Sequence, residues 1–320
     1  MSAREPVLEP ISGRSAANGG SRSGGRPDAA RVVLRVAAAL AVLGVGLLML
    51  MILAFALPVF ADGGPGGPFS WTWAPGNGRF GILPMLVGSL LLAFSALAAG
   101  WPLGLALCCW LLCPDLGGPS WLRALVGGLV RLMTAIPTVV YGFAALFLLT
   151  PAVRAGLGGT GMGWLSAGLM LALLILPTVT LVLTAGLAPR LERLLPGGPA
   201  LGMSRPELLW LVVMPDARGT LASSAVLGFG RAVGDTLLPL MLAGNAPQVP
   251  ESLTASLRAL TAHMALVTSN EVGGAAYNSL FMAGVLLLAV NAAVSLTVRR
   301  LERRERAAAT RGTDAAGGGA

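Results

Sequence analysis

The sequence predicts an all-α polytopic membrane protein with six transmembrane helices, on three observations. Apolar residues make up 55% of the 320 and charged ones only 11%, at a mean hydropathy of +0.77. That exceeds what one soluble core needs. Six apolar runs reach the length of about 20 residues that a bilayer requires. They fall at roughly 36–60, 82–112, 122–150, 162–187, 219–244 and 275–298. The basic residues flank these runs in a one-sided pattern.

All 22 basic residues are Arg, and the formal net charge is +8. Six lie before or at the entry of the first run (Arg4, Arg14, Arg22, Arg26, Arg31, Arg35), and six follow the last (Arg299, Arg300, Arg303, Arg304, Arg306, Arg311). Clusters placed like this orient a chain in a bilayer, and the nucleic-acid reading is set aside. With the N-terminus inside, the cytoplasmic segments hold 17 arginines and the outer loops only Arg79, Arg154 and Arg258. The positive-inside rule then predicts a multi-pass membrane protein with both termini cytoplasmic.

Four stretches follow in order. Residues 1–30 are Gly, Ser, Ala and Arg rich and read as a disordered cytoplasmic tail, as do the last dozen residues of the basic tail 299–320. Residues 31–80 hold the first span and an outer loop. The span's apolar length exceeds the 7–15 residues of a signal-peptide core, so it reads as a retained anchor. The loop "DGGPGGPFSWTWAPGNGRF" is broken by Gly and Pro and carries Trp71 and Trp73, which suit the headgroup region. Residues 81–298 hold the remaining spans, with a cytoplasmic loop near 188–218.

Most familiar chemistry is missing. "GGTGMG" (158–163) lacks the Lys and Ser/Thr of a phosphate cradle, so the chain does not hydrolyse ATP alone. "GFGRAVG" (228–234) has the wrong spacing for a dinucleotide fingerprint and no strand before it, and its glycines suit close helix packing. Cys108, Cys109 and Cys113 have no His nearby in sequence and read as apolar packing rather than a metal site. His263 is the only histidine, and nothing nearby completes a catalytic set, so it reads as structural or surface. No catalytic, metal or cofactor site is predicted.

The exception is the fifth span, which carries Arg231 and Asp235 inside an apolar run. Four residues apart on a helix, they share a face and can touch. An Arg at mid-membrane costs about 2.5–3.5 kcal/mol on insertion scales, and a carboxylate beside it offsets that cost. Two readings follow: a self-neutralised pair that locks helices, or an anion gate whose Arg is held by Asp when empty. Arg suits an anion, because its planar fork binds phosphate-type oxygens in pairs and stays charged at any relevant pH.

The stretches "RFGILPMLVGSLL" (79–91), "AIPTVVYGFAALF" (135–147), "GFGRAVGDTLLPLMLAGNAP" (228–247), and "VPESLTASLRALTAHMAL" running on to "AAYNSLFMAGVLLL" resemble the permease subunits of bacterial phosphate ABC transporters. Such permeases read G-R-A-x-G-E-T followed by G-N. Arg231, Gly234, Thr236, Gly244 and Asn245 match, while Asp235 replaces the usual Glu. The resemblance implies a type I ABC importer permease fold and a substrate path through Arg231, Asp235, Thr236 and Asn245. The loop "ALGMSRPELLWLVVMPDARG" (200–219) is similar to the coupling helix of importer permeases and keeps Gly202, Ser204, Arg205 and Pro215. Its E-A-A part is missing, and Pro196, Gly197 and Gly198 stand there instead. Where relatives tend to have Glu before the "IP" motif, this chain has Arg131, about 15 Å into the third span by helical rise. It either snorkels to the inner headgroups or adds a second positive charge to the cavity.

The resemblance further implies a second homologous permease, two ATPase subunits that bind the ATP, and a periplasmic phosphate-binding protein. Transport of another oxyanion, sulfate or molybdate, stays open at this stage. So does a membrane phosphate-signalling role with little transport; an intramembrane enzyme would have to work with one His and one intramembrane carboxylate.

Overall fold

A computed structural model describes residues 26–59, 67–270 and 274–317. The N-terminal tail through residue 25 and loop residues 60–66 lie outside the described residues. The chain divides into two units, residues 1–50 and residues 51–320. In the first, helix α1 (Arg26–Ala56) begins, and from Ala30 to Leu50 its side chains are apolar or small and exposed, apart from Arg31 and Arg35.

Among its described residues the second unit is mainly helical, with a short hairpin of β1 (Trp73–Ala74) against β2 (Arg79–Phe80). Its long helices are α2 (Leu83–Leu112), α6 (Trp164–Leu194) and α12 (Gly274–Gly317). Between α2 and α6 lie α3 (Ser120–Ala135), α4 (Thr138–Ala144), one π turn over Ala145–Leu149, and α5 (Thr150–Leu157). After α6 come α7 (Arg205–Glu207), a second π segment over Leu208–Val213, and α8 (Met214–Asp216). The chain continues through α9 (Arg218–Gly234), α10 (Leu237–Leu242) and α11 (Leu260–Asn270).

Helix α6 is the centre of the core. Leu171, Ile175, Val179 and Leu183 are buried on it, and α2 and α9 pack against it. Gly100 and Gly104 on α2 permit the closest approach: a Cβ on Gly100 would lie 2.7 Å from the Ala172 carbonyl oxygen. Small residues are the usual means of joining helices where lipid supplies no hydrophobic drive. The first N–H groups of α6 have no partner within the helix. Trp164 N–H donates to Ala255 O at 3.1 Å and Leu165 N–H to Leu253 O at 2.8 Å, which fixes the loop between α10 and α11 on the helix start.

Among the described residues, five helices are long and apolar enough to cross a membrane: Ala30–Ala56, Leu83–Leu112, Thr138–Leu157, Trp164–Leu194 and Ala276–Thr297. Two expected spans are drawn differently. The third, 122–150, is divided at Ile136–Pro137, so the crossing-length helix is Thr138–Leu157 and Arg131 lies outside it, on α3. The residue before a proline is pushed out of the helical region, and Ile136 is extended at φ −74°, ψ 127°. The fifth, 219–244, is two helices separated at Asp235–Thr236. At the C-terminus, α12 is helical through Gly317, into the stretch whose composition reads as disordered. The Leu, Glu, Arg and Ala of 301–309 are strong helix formers, which sustains the run.

Candidate functional site

Both interruptions obey one rule. A proline in a helix withholds the N–H that would bond the carbonyl four residues back, and its ring crowds that carbonyl. For Pro137 the freed carbonyl is that of Met133, and for Pro239 that of Asp235. Each is met by a hydroxyl instead. Tyr141 Oη donates to Met133 O at 2.8 Å, and Thr261 Oγ1 donates to Asp235 O at 2.8 Å. Gly234 has no side chain to support α9, and Asp235 leaves it in an extended conformation at φ −74°, ψ 132°. The Asp235 carboxylate then turns to the new helix, where Oδ2 accepts from Leu238 N–H at 2.8 Å. Pro102, Pro177 and Pro189 sit inside unbroken helices, so proline alone does not decide a break.

Where the two interruptions meet lies a half-open cavity of about 280 Å³ lined by Thr138, Gly230, Arg231, Gly234 and Asp235. Arg231 is exposed and stands in the last turn of α9, where a cation complements the negative end of the helix dipole. Thr138 opens α4 and lines the same space. The expected contact between Arg231 and Asp235 is not formed: no ion pair within 4.0 Å joins them. The spacing argument assumed a continuous helix, and the break at Asp235 turns the carboxylate onto α10.

The other predicted path residues lie elsewhere. Thr236 is half-buried at the start of α10 and does not line the cavity. Asn245 holds a turn, with a left-handed backbone at φ 57°. Its Nδ2 donates to Leu240 O at 2.6 Å, and its carbonyl accepts from Arg258 Nε at 2.8 Å. Arg131 is exposed on α3 and is also absent from the cavity wall. Thr138 and Thr261 were missed by sequence reasoning. The only signal for Thr261 was Pro239, whose missing donor a hydroxyl replaces, and the only one for Thr138 was its place directly after Pro137.

In the loop after α6, Gly202 takes a left-handed turn at φ 75°, ψ 11° before the helical run that starts at Arg205. Ser204 precedes it, and its N–H and Oγ both donate to Glu207 Oε2 at 2.8 Å. Those bonds hold the Glu207 carboxyl below the ordinary carboxylate range. Leu208, Leu209, Val213 and Met214 are buried, while Trp210 and Leu211 are exposed on the opposite face and Pro215 is exposed beyond them. Arg205 is half-buried at the first helical position. The loop's far end is tied to α6 by Arg190, whose Nη1 donates to Asp216 O at 3.1 Å.

The cysteines are free and buried, with Thr184 Oγ1 donating to Cys108 Sγ at 3.4 Å. Among the described residues no group of His, Cys, Asp and Glu is placed to hold a metal. His263 is fully buried, edge-on to Trp73 at 4.4 Å between ring centres.

Residues 100–307 match the family model of the binding-protein-dependent transport system inner membrane component. The chain belongs to that family. The probable ABC transporter permease protein YqgH of Bacillus subtilis is 30% identical over 74% of this chain and 76% of its own length. The phosphate transport system permease protein PstC of Pasteurella multocida is 27% identical over 75% and 82%. The inward-facing MetNI methionine ABC transporter has a similar fold, at a TM-score of 0.52, 18% identity, and coverage of 70% of this chain and 94% of that one. This family member is therefore an all-α, multi-pass inner-membrane transport subunit with the fold of ABC importer permeases, and not itself an enzyme. Its family works with a substrate-binding protein and an ATPase.

Proposed function

We infer that the chain is the permease of an ATP-driven importer of inorganic phosphate and forms the anion path by alternating access. The observation that carries the reading is the cavity at the two helix breaks, lined by Thr138 and by Arg231, whose guanidinium has no ion-pair partner among the described residues. An Arg fork binds two oxygens of a tetrahedral oxyanion, and a hydroxyl donates to a third. Relatives named as phosphate permeases support phosphate as the cargo. A broken helix suits the path because its two halves can tilt independently, so the cavity opens alternately to each side.

The partners in this reading are a second homologous permease, two ATPase subunits that bind ATP, and a periplasmic phosphate-binding protein. No cofactor is held by this chain. The loop at Gly202, Ser204, Arg205 and Pro215 contacts an ATPase through its exposed apolar face at Trp210 and Leu211. Both termini are cytoplasmic. Labelled phosphate uptake by the complex reconstituted in vesicles tests the reading. Uptake should require ATP, the binding protein and this chain; uptake of sulfate in preference to phosphate would overturn it.

A further inference from the structure

We propose that Asp235 makes the cavity selective for an oxyanion that carries a proton, so that hydrogen phosphate is accepted and sulfate refused. The inference rests on the anion path above and goes beyond it in naming the group that discriminates.

Asp235 lines the cavity with Arg231, yet the two are not ion-paired. Its Oδ2 is taken by Leu238 N–H, and its Oδ1 has no hydrogen-bond partner among the described residues. Capping α10 explains one oxygen and does not require a charge, since Asn, Ser and Thr cap helices as well. The other oxygen is left as an acceptor on a residue that lines the space where an anion would bind. A carboxylate there accepts hydrogen bonds and donates none. Beside sulfate it meets only oxygen, and two like charges are brought together in a medium of low dielectric. Beside hydrogen phosphate it meets a P–O–H, which donates a short, charge-assisted bond. The remaining phosphate oxygens are left for Arg231 and for the Thr138 hydroxyl. Specificity of this kind comes from a group that penalises the wrong partner as well as one that attracts the right one.

The test uses Gly234→Cys as a reporter, because a Cβ there meets no atom within 4 Å and the native cysteines are buried. Full-length chain with its natural companions, in right-side-out and inverted membrane vesicles, is labelled with a small charged thiol reagent at neutral pH. Phosphate, sulfate and monofluorophosphate are the protectants. Monofluorophosphate keeps the phosphorus but has no proton to donate at that pH.

Phosphate should protect at concentrations at least about 10-fold below those of the other two, given how strongly a hydrogen-bonding site rejects an analogue that leaves its group unpaired. Adding Asp235→Asn, whose oxygen still caps α10 and whose amide donates, should bring the three within about 3-fold, again because no acceptor is then left unpaired. Asp235→Glu should restore the difference, which separates lost selectivity from lost folding. Equal protection by phosphate and sulfate in the Gly234→Cys chain overturns the proposal, as does unchanged discrimination in the Asp235→Asn chain. If no anion protects in any vesicle, the anion path itself fails and the selectivity falls with it.

Discussion

The hydroxyl of Thr261 donates to the carbonyl of Asp235 at 2.8 Å, 26 residues away in sequence, and so replaces the N–H that Pro239 does not have. Helix α11 thereby holds open the break that puts Asp235 in the cavity wall. Removing the hydroxyl with Thr261→Val should leave a backbone acceptor unpaired, at a cost of about 1–3 kcal/mol. Thermal unfolding of the purified complex should register the loss, and Thr261→Ser should recover most of it. No shift with Thr261→Val would mean that water already serves the carbonyl.

Restoring the donor should have the opposite structural effect. Pro239→Ala returns an N–H at the position where proline costs about 3 kcal/mol in a helix interior, so it favours a continuous helix from Arg218 to Leu242. The chain should accumulate in the membrane at normal levels while phosphate uptake falls at least about tenfold, the equivalent of about 1.4 kcal/mol. Uptake at the parental rate would show that the break is not needed for transport.

Because Arg231 is exposed and has no ion-pair partner among the described residues, its replacement strands no buried partner among them. Arg231→Gln should therefore assemble normally and lose uptake, since Gln keeps hydrogen bonding but not charge. A lock would behave otherwise: breaking a buried pair costs about 3–5 kcal/mol, and loss of assembly would dominate. Co-purification of the subunits beside an uptake assay separates the two outcomes.

The start of the helical run at Arg205 should depend on pH through Glu207. Its folded pKa is lowered by the Ser204 N–H and hydroxyl, so its stabilising contribution is present above the unfolded carboxylate pKa and is lost as pH falls through the folded value. Hydrogen exchange at the amides of 205–209 should accelerate on acidification. With Ser204→Ala the acceleration should begin at a higher pH, because one of the two bonds lowering the pKa is gone. Identical profiles would place the control elsewhere.

Orientation is open to a direct test, because Ser204 and Ser252 are both exposed and lie on opposite assigned sides. With Ser252→Cys, an impermeant thiol reagent should label intact cells, whereas Ser204→Cys should react only in inverted vesicles. The reverse pattern would invert the topology drawn from the arginines.

Much of the class was legible because a bilayer imposes it through composition: apolar runs of crossing length, and arginines gathered at their ends. The motif around Arg231 singled out one segment, since a charge amid apolar residues is visible without coordinates. What the sequence did not settle was the path of the backbone through that segment. Pro239 breaks its helix while Pro102, Pro177 and Pro189 do not. At Pro239 a glycine and a capping aspartate precede it, and a distant hydroxyl is available for the orphaned carbonyl. That hydroxyl belongs to α11, and no local pattern announces it. The same event decided that Asp235 lines the cavity without pairing with Arg231, and that Thr138 shares the cavity while Asn245 holds a turn. Composition and charge act on each segment separately, so they can be read along the chain. Which hydrogen bonds replace those a proline removes depends on residues brought close only by the fold.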